Sequence, residues 1–216
     1  PQGLWVSDGT GAGTFRISEV QSSYSSIYKG RPFVVLPNGT LLFNGTTGMS
    51  DSEPWISDGT SAGTLRLLDL RPGPDGSGPS DFVLRGSEVI FSAETDALNT
   101  SYELWRTDGT VGGTVQVPVP AGVELRMGSG LHALTGSTLF FAAFEPATGL
   151  ELWKLEDDIV SMVRDVRPGV ESSILAVPGP YPGFNQALFA RVGGRLEFLA
   201  DDGLNGRELW ASDGTE

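Results

Sequence analysis

Short apolar stretches separated by glycine-rich polar turns run the length of the chain. Four of them carry a phenylalanine near the centre: "TLLFNG" at 40–45, "EVIFSA" at 88–93, "TLFFAA" at 138–143 and "RLEFLA" at 195–200. Stretches of this length, bounded by turn residues and rich in β-branched and aromatic side chains, read as strands. No pattern supports a helix of more than ten residues. Each phenylalanine (Phe43, Phe91, Phe141, Phe198) is followed by a tryptophan (Trp55, Trp105, Trp153, Trp210), at separations of 12, 14, 12 and 12 residues. In the first full repeat the pattern predicts strands at about 32–36, 40–44, 53–57 and 64–70. "PNGT" joins the first pair as a hairpin turn.

The second pair is joined by a longer phrase. "LWVSDGTGAGT" at 4–14 returns as "PWISDGTSAGT" at 54–64, "LWRTDGTVGGT" at 104–114 and "LWASDGT" at 209–215, with an eroded copy, "LWKLEDD", at 152–158. Three glycines in five positions invite comparison with a phosphate-cradling loop. Such a loop needs a helix after the glycines, and here "FRISEV" and "LRLLDL" follow, alternating like strands. A phosphate loop also has no reason to recur five times. The phrase reads instead as a turn. The tryptophans, with Trp5 the first, end apolar strands and pack into the core. Asp8, Asp58, Asp108 and Asp213 open Asx-type turns, and the glycine after each accepts positive φ. In the copy at 153 a tighter turn, "LEDDIV", replaces the loop.

The fold class is therefore all-β: a β-propeller of about 50-residue, four-stranded blades, at least four in number. A β-sandwich does not show this periodicity. We read residues 1–216 as one propeller-like repeat domain, with repeats at approximately 31–70, 81–118, 128–165 and 184–216 plus 1–20. Two arrangements stay open. In a closed four-bladed ring, the strand near 14–19 would complete the blade begun by 186–211. In a longer protein with more blades, the tryptophan strand at 3–6 need not duplicate that at 207–211, and this duplication favours the longer protein.

"ELWRTDGTVGGT" and "ELWASDGT" resemble the ELWxxDGT repeat family of bacterial secreted and surface proteins. The resemblance covers essentially the whole chain, departing at Pro54 and in the eroded copy at 153. It implies extracellular repeat architecture and brings no catalytic residues with it.

Charge narrows the function further. The net charge of −13 argues against nucleic acid and against anionic membrane surfaces. No stretch is long and apolar enough to span a bilayer. Cysteine is absent, which leaves the redox compartment open.

Candidate chemistry is sparse. His132, the single histidine, lies in a blade strand with no nucleophile elbow nearby and reads as structural. Asp201, Asp202 and Asn205 in "ADDGLNG" offer oxygen ligands suited to calcium, although the equivalent loops of the other repeats share no such pattern. The insert "VPGPYPGFNQ" at 177–186 presents Tyr181 and Phe184, aromatic anchors for a partner or a sugar ring. Asn38, Asn44 and Asn99 open Asn-x-Ser/Thr triplets, and Asn38 is better explained by its hairpin.

These features predict a non-enzymatic, extracellular, cell-surface or periplasmic module for protein interaction or structural attachment, with no required cofactor. One version is a peripheral subunit of a larger assembly. The alternative is a carbohydrate-binding propeller. A hydrolase built at one end of the ring has the least support.

Overall fold

The computed structural model describes residues 2–22, 33–48, 50–95, 102–125, 132–133, 137–174, 177–178, 185–186 and 189–215. Every regular element among them is a strand, and every pairing is antiparallel. The chain forms two compact units, one of residues 1–100 with 105–116 and one of residues 101–104 with 117–216.

The first unit begins with a two-stranded sheet, β1 (Leu4–Val6) with β2 (Phe15–Ser18). A larger sheet follows, built on β5 (Leu41–Thr46), β6 (Ser52–Ser57) and β7 (Leu65–Arg66) in that spatial order. Its first position is divided. β3 (Gln21–Ser22) pairs with the far end of β5, while β4 (Phe33–Val35) pairs with the near end. The next sheet is four-stranded: β8 (Ser80–Arg85), β9 (Glu88–Ala93), β10 (Glu103–Thr107) and β11 (Val115–Gln116).

The second unit repeats the scheme. β12 (Glu124–Leu125) and β13 (His132–Ala133) both pair with β14 (Leu139–Glu145), followed by β15 (Gly149–Glu156) and β16 (Ile159–Arg164). A small ribbon joins β17 (Val177–Pro178) to β18 (Asn185–Gln186) within the insert. The last sheet holds β19 (Phe189–Val192), β20 (Arg195–Asp201) and β21 (Arg207–Ser212).

Each unit buries its core between consecutive sheets. In the first, Leu36, Leu42, Phe82, Val89 and Phe91 pack together with Trp105 against them. In the second, Phe140, Leu152, Val163, Leu196 and Phe198 do so, with Trp210 at the margin. The registers explain why phenylalanine and tryptophan recur in step, since Phe43 stands opposite Trp55, Phe141 opposite Trp153 and Phe198 opposite Trp210. Paired aromatics on one sheet are a main unit of sheet stability. One expectation is corrected. Trp5 does not enter the core but is 46% exposed; among the described residues β1 pairs with β2 alone.

The outer strands β7 and β11 are shorter than the sequence suggests. Their hydrogen bonding continues one residue further, from Leu67 N–H to the Pro54 carbonyl (2.8 Å) and from Val117 N–H to the Leu104 carbonyl (2.7 Å). After Leu67 the chain leaves the sheet for the "DLRPG" segment.

Candidate functional site

The Asp-Gly-Thr turns have one geometry in three copies. The Asp58 carboxylate accepts from the Thr60 backbone N–H (2.9 Å) and the Thr60 hydroxyl (2.7 Å), and the Thr60 hydroxyl oxygen accepts from Gly63 N–H (2.9 Å). Ser57 and Thr64 hydroxyls meet at 2.8 Å across the neck of the loop. Asp8 and Asp108 make the same contacts, and Asp213 repeats the Asp–Thr pair with Thr215. These bonds to the ionised form hold all four carboxyls below the usual carboxylate range. The first glycine of each turn has φ near +90°. The later one is required for a different reason: a Cβ on Gly63 would collide with the Asp58 carboxylate. The aspartate, the threonines and the neck hydroxyls of the phrase are thus engaged in holding the turn.

A second constellation escaped the sequence reading. Two residues before Trp55 and Trp153 stand Glu53 and Glu151, both with no exposed surface. The chain that follows each outer strand folds back over them. Glu53 accepts from the backbone N–H groups of Leu70 (3.1 Å), Arg71 (3.3 Å) and Ser77 (3.0 Å) and from the Ser77 hydroxyl (2.6 Å). Glu151 accepts from Val166 N–H (3.3 Å), Ser173 N–H (2.9 Å) and the Ser173 hydroxyl. The serine then ties the loop to the next sheet. The Ser77 carbonyl accepts from Glu94 N–H (2.7 Å), and the Ser173 carbonyl from Asp201 N–H (3.0 Å). The signal was present in the sequence, as a serine eight residues beyond the aspartate of "DLRPG" and of "DVRPG". Burial raises both carboxyls, Glu151 to about 7, against the opposing pull of the serine and backbone donors; the Asp165 charge raises Glu151 further.

The third feature is a cavity of about 290 Å³ in the second unit, walled by Leu152, Val163, Val166, Phe198 and Trp210. Arg164, Arg195 and Asp213 stand at its polar side.

The remaining expected residues are placed as follows. Asp201 accepts from Gly203 N–H (2.7 Å), and Asp202 from Leu204 N–H (2.8 Å), Asn205 N–H (2.9 Å) and the Asn205 side-chain amide (3.0 Å). Their oxygens are turned onto their own loop. Among the described residues no group of three His, Cys, Asp or Glu side chains is placed to hold a metal ion. Asn44 is fully buried and donates to the Pro79 carbonyl (2.8 Å), so it is no surface acceptor for a glycan. Asn38 caps its hairpin through Thr40 N–H (3.0 Å). Tyr181, Phe184 and Asn99 lie outside the described residues. His132 is in β13, opposite Phe140.

No family model and no curated protein sequence matches the chain. Among solved structures, it is similar to puromycin hydrolase at 13% identity and a TM-score of 0.55, over 94% of this chain and 29% of that one. It is also similar to TolB from Acinetobacter baumannii, at 16% identity and a TM-score of 0.47, over 99% of this chain and 49% of that one. The chain thus spans less than a third of the length of puromycin hydrolase. The likeness concerns the fold, which is all-β and propeller-like.

Proposed function

We propose that this chain is a non-enzymatic, propeller-like module for protein interaction or structural attachment, working in an extracellular, cell-surface or periplasmic setting. One observation carries the reading. The aspartates and threonines of the Asp-Gly-Thr turns, and Glu53 and Glu151 under the "RPG" loops, are spent on intrachain hydrogen bonds. A catalytic or lectin site repeated by the blades would instead leave such groups without intrachain partners. The resemblance to ELWxxDGT repeats supports the setting. The net negative charge supports a protein partner over a nucleic acid or an anionic membrane.

The test is native mass spectrometry of the protein isolated from its source, run beside a glycan array and a panel of glycoside and peptide substrates. The expected result is a fixed complex with defined partners and no turnover. Turnover abolished by a single acidic-residue substitution would overturn the reading in favour of a hydrolase. Saturable glycan binding without protein partners would overturn it in favour of a lectin.

A further inference from the structure

The turn phrase places a glycine directly after an exposed aspartate, at Asp8–Gly9, Asp58–Gly59 and Asp108–Gly109. This dipeptide is among the most reactive in a protein chain toward one spontaneous change. The glycine backbone nitrogen, unshielded by a side chain, attacks Cγ of the protonated aspartate carboxyl. An N–Cγ bond forms, the nitrogen gives up its proton, and that proton leaves with the carboxyl hydroxyl as water. The product is a succinimide. Water then opens the ring, and opening at the main-chain carbonyl leaves isoaspartate. No cofactor is needed.

The turn withholds both reactants. Gly59 N–H donates to the Ser57 hydroxyl (3.1 Å), and Gly109 N–H to the Thr107 hydroxyl (3.0 Å). A relay fixes the direction of these bonds. The Thr64 hydroxyl gives its one proton to the Thr60 carbonyl (2.7 Å), so at the 2.8 Å contact between Ser57 and Thr64 it is Ser57 that donates. The Ser57 oxygen is then free to accept from Gly59. Thr107 is oriented in the same way, because the Thr114 hydroxyl gives its proton to the Thr110 carbonyl (2.6 Å). Successive bonds of this kind polarise and strengthen one another. Ser57 and Thr107 are buried, at 2% and 0% exposure. On the other side of the reaction, the two Thr60 donors keep the Asp58 carboxyl ionised, the form that resists attack.

The repeats separate this role from turn closure. The Asp–Thr pair closes the Asx-type turn without help from the residue before it. That residue, two beyond the tryptophan, is Ser7, Ser57, Thr107 or Ser212 wherever Asp-Gly follows. In the copy at 153, where Asp-Gly is absent, the same position is Leu155.

We propose that Asp58–Gly59 and Asp108–Gly109 are latent isoaspartate-forming sites, held closed by the hydroxyl that stands before each aspartate and binds the glycine N–H. The inference goes beyond the module reading and does not depend on it.

The test is prolonged incubation of the intact protein in warm, mildly acidic buffer, beside the same chain unfolded in urea. Isoaspartate is quantified at each aspartate by fragmentation mass spectrometry of its peptide. The folded protein should convert Asp58 and Asp108 about tenfold or more slowly than the unfolded chain. Ser57→Ala should raise conversion at Asp58 by about tenfold and leave Asp108 unchanged, and Thr107→Ala should do the reverse. Ser57→Thr, which copies the other turn, should keep Asp58 protected. Each turn thus serves as the control for general loosening of the other. Conversion in the folded protein as fast as in urea overturns the proposal. So does a Ser57→Ala protein in which Asp58 stays protected, or in which both aspartates convert equally faster.

Discussion

The turn phrase shows how closely a few atoms constrain residue choice. Asp108 must be short and anionic, because its carboxylate takes both the backbone and hydroxyl donors of Thr110 at 2.9 and 2.7 Å. Gly113 must lack a Cβ, because that atom would collide with the same carboxylate. Gly113→Ala is expected to cost about 1–3 kcal/mol in urea denaturation. The cost should shrink in an Asp108→Ala background, where the obstructing carboxylate is gone, and simple additivity of the two changes would contradict this account. The shortened turn makes the opposite case. Asp157 and Asp158 both adopt positive φ, at 49° and 63°, in the two-residue connection between Glu156 and Ile159. That is the backbone of a type I′ hairpin, for which asparagine followed by glycine is the favoured pair. Two adjacent aspartates meet the same backbone with strain and with mutual repulsion. The double change Asp157→Asn with Asp158→Gly is therefore expected to raise stability by about 0.5–1 kcal/mol, measured as a shift in the urea midpoint.

At the level of elements, what joins one sheet to the next is the glutamate–serine pair, and it acts alike in both units. Ser173 offers Glu151 a hydroxyl and an N–H while its carbonyl holds Asp201 of β20. Ser173→Ala removes one donor from a buried carboxylate and is expected to cost about 1–3 kcal/mol in urea denaturation. Ser77→Ala should cost a similar amount beneath Glu53, and an effect at only one of the two sites would refute their equivalence. The strands, turns and repeat spacing were legible in the sequence because each depends on local pattern: alternation, glycine at positive φ, aspartate before a turn. The glutamates were not. A carboxylate beside a strand tryptophan reads as a solvent-facing group, and its burial depends on a loop that returns 17 residues later for Glu53 and 15 for Glu151. Trp5 failed for the related reason that burial belongs to the neighbouring sheet and not to the residue.

The whole molecule carries two sets of carboxyls whose folded-state acidities move in opposite directions, and together they fix how stability depends on pH. Asp8, Asp58, Asp108, Asp202 and Asp213 lie below the usual range because their turns donate to the ionised form. Their contribution is present above the ordinary aspartate value and is lost as pH falls through the lowered one. Glu53 and Glu151 lie above the ordinary glutamate value because burial penalises the charge. The folded state binds their protons more tightly than the unfolded state does, so their contribution is complete below the ordinary value of 4.5 and is lost as pH rises, for Glu151 through about 7. Stability should therefore peak on the acid side of neutrality and decline between about pH 5 and pH 8. For Glu151, on the order of 2 kcal/mol is at stake after allowance for solvent relaxation, or about 4–8 °C in Tm for a chain of this size. Self-repulsion at a net charge of −13 produces a decline of the same sign, and salt separates the two. Added salt screens repulsion among exposed charges, but it does not restore solvent to a carboxylate with no exposed surface. Thermal unfolding followed by circular dichroism at about pH 5 and about pH 8, in low and high salt, decides between them. The wild-type chain should keep most of its pH difference in high salt, while Glu151→Gln should lose most of it whatever its absolute Tm, because the amide does not titrate. A pH difference that vanishes with salt in the wild type would assign the decline to surface charge and remove Glu151 from the account.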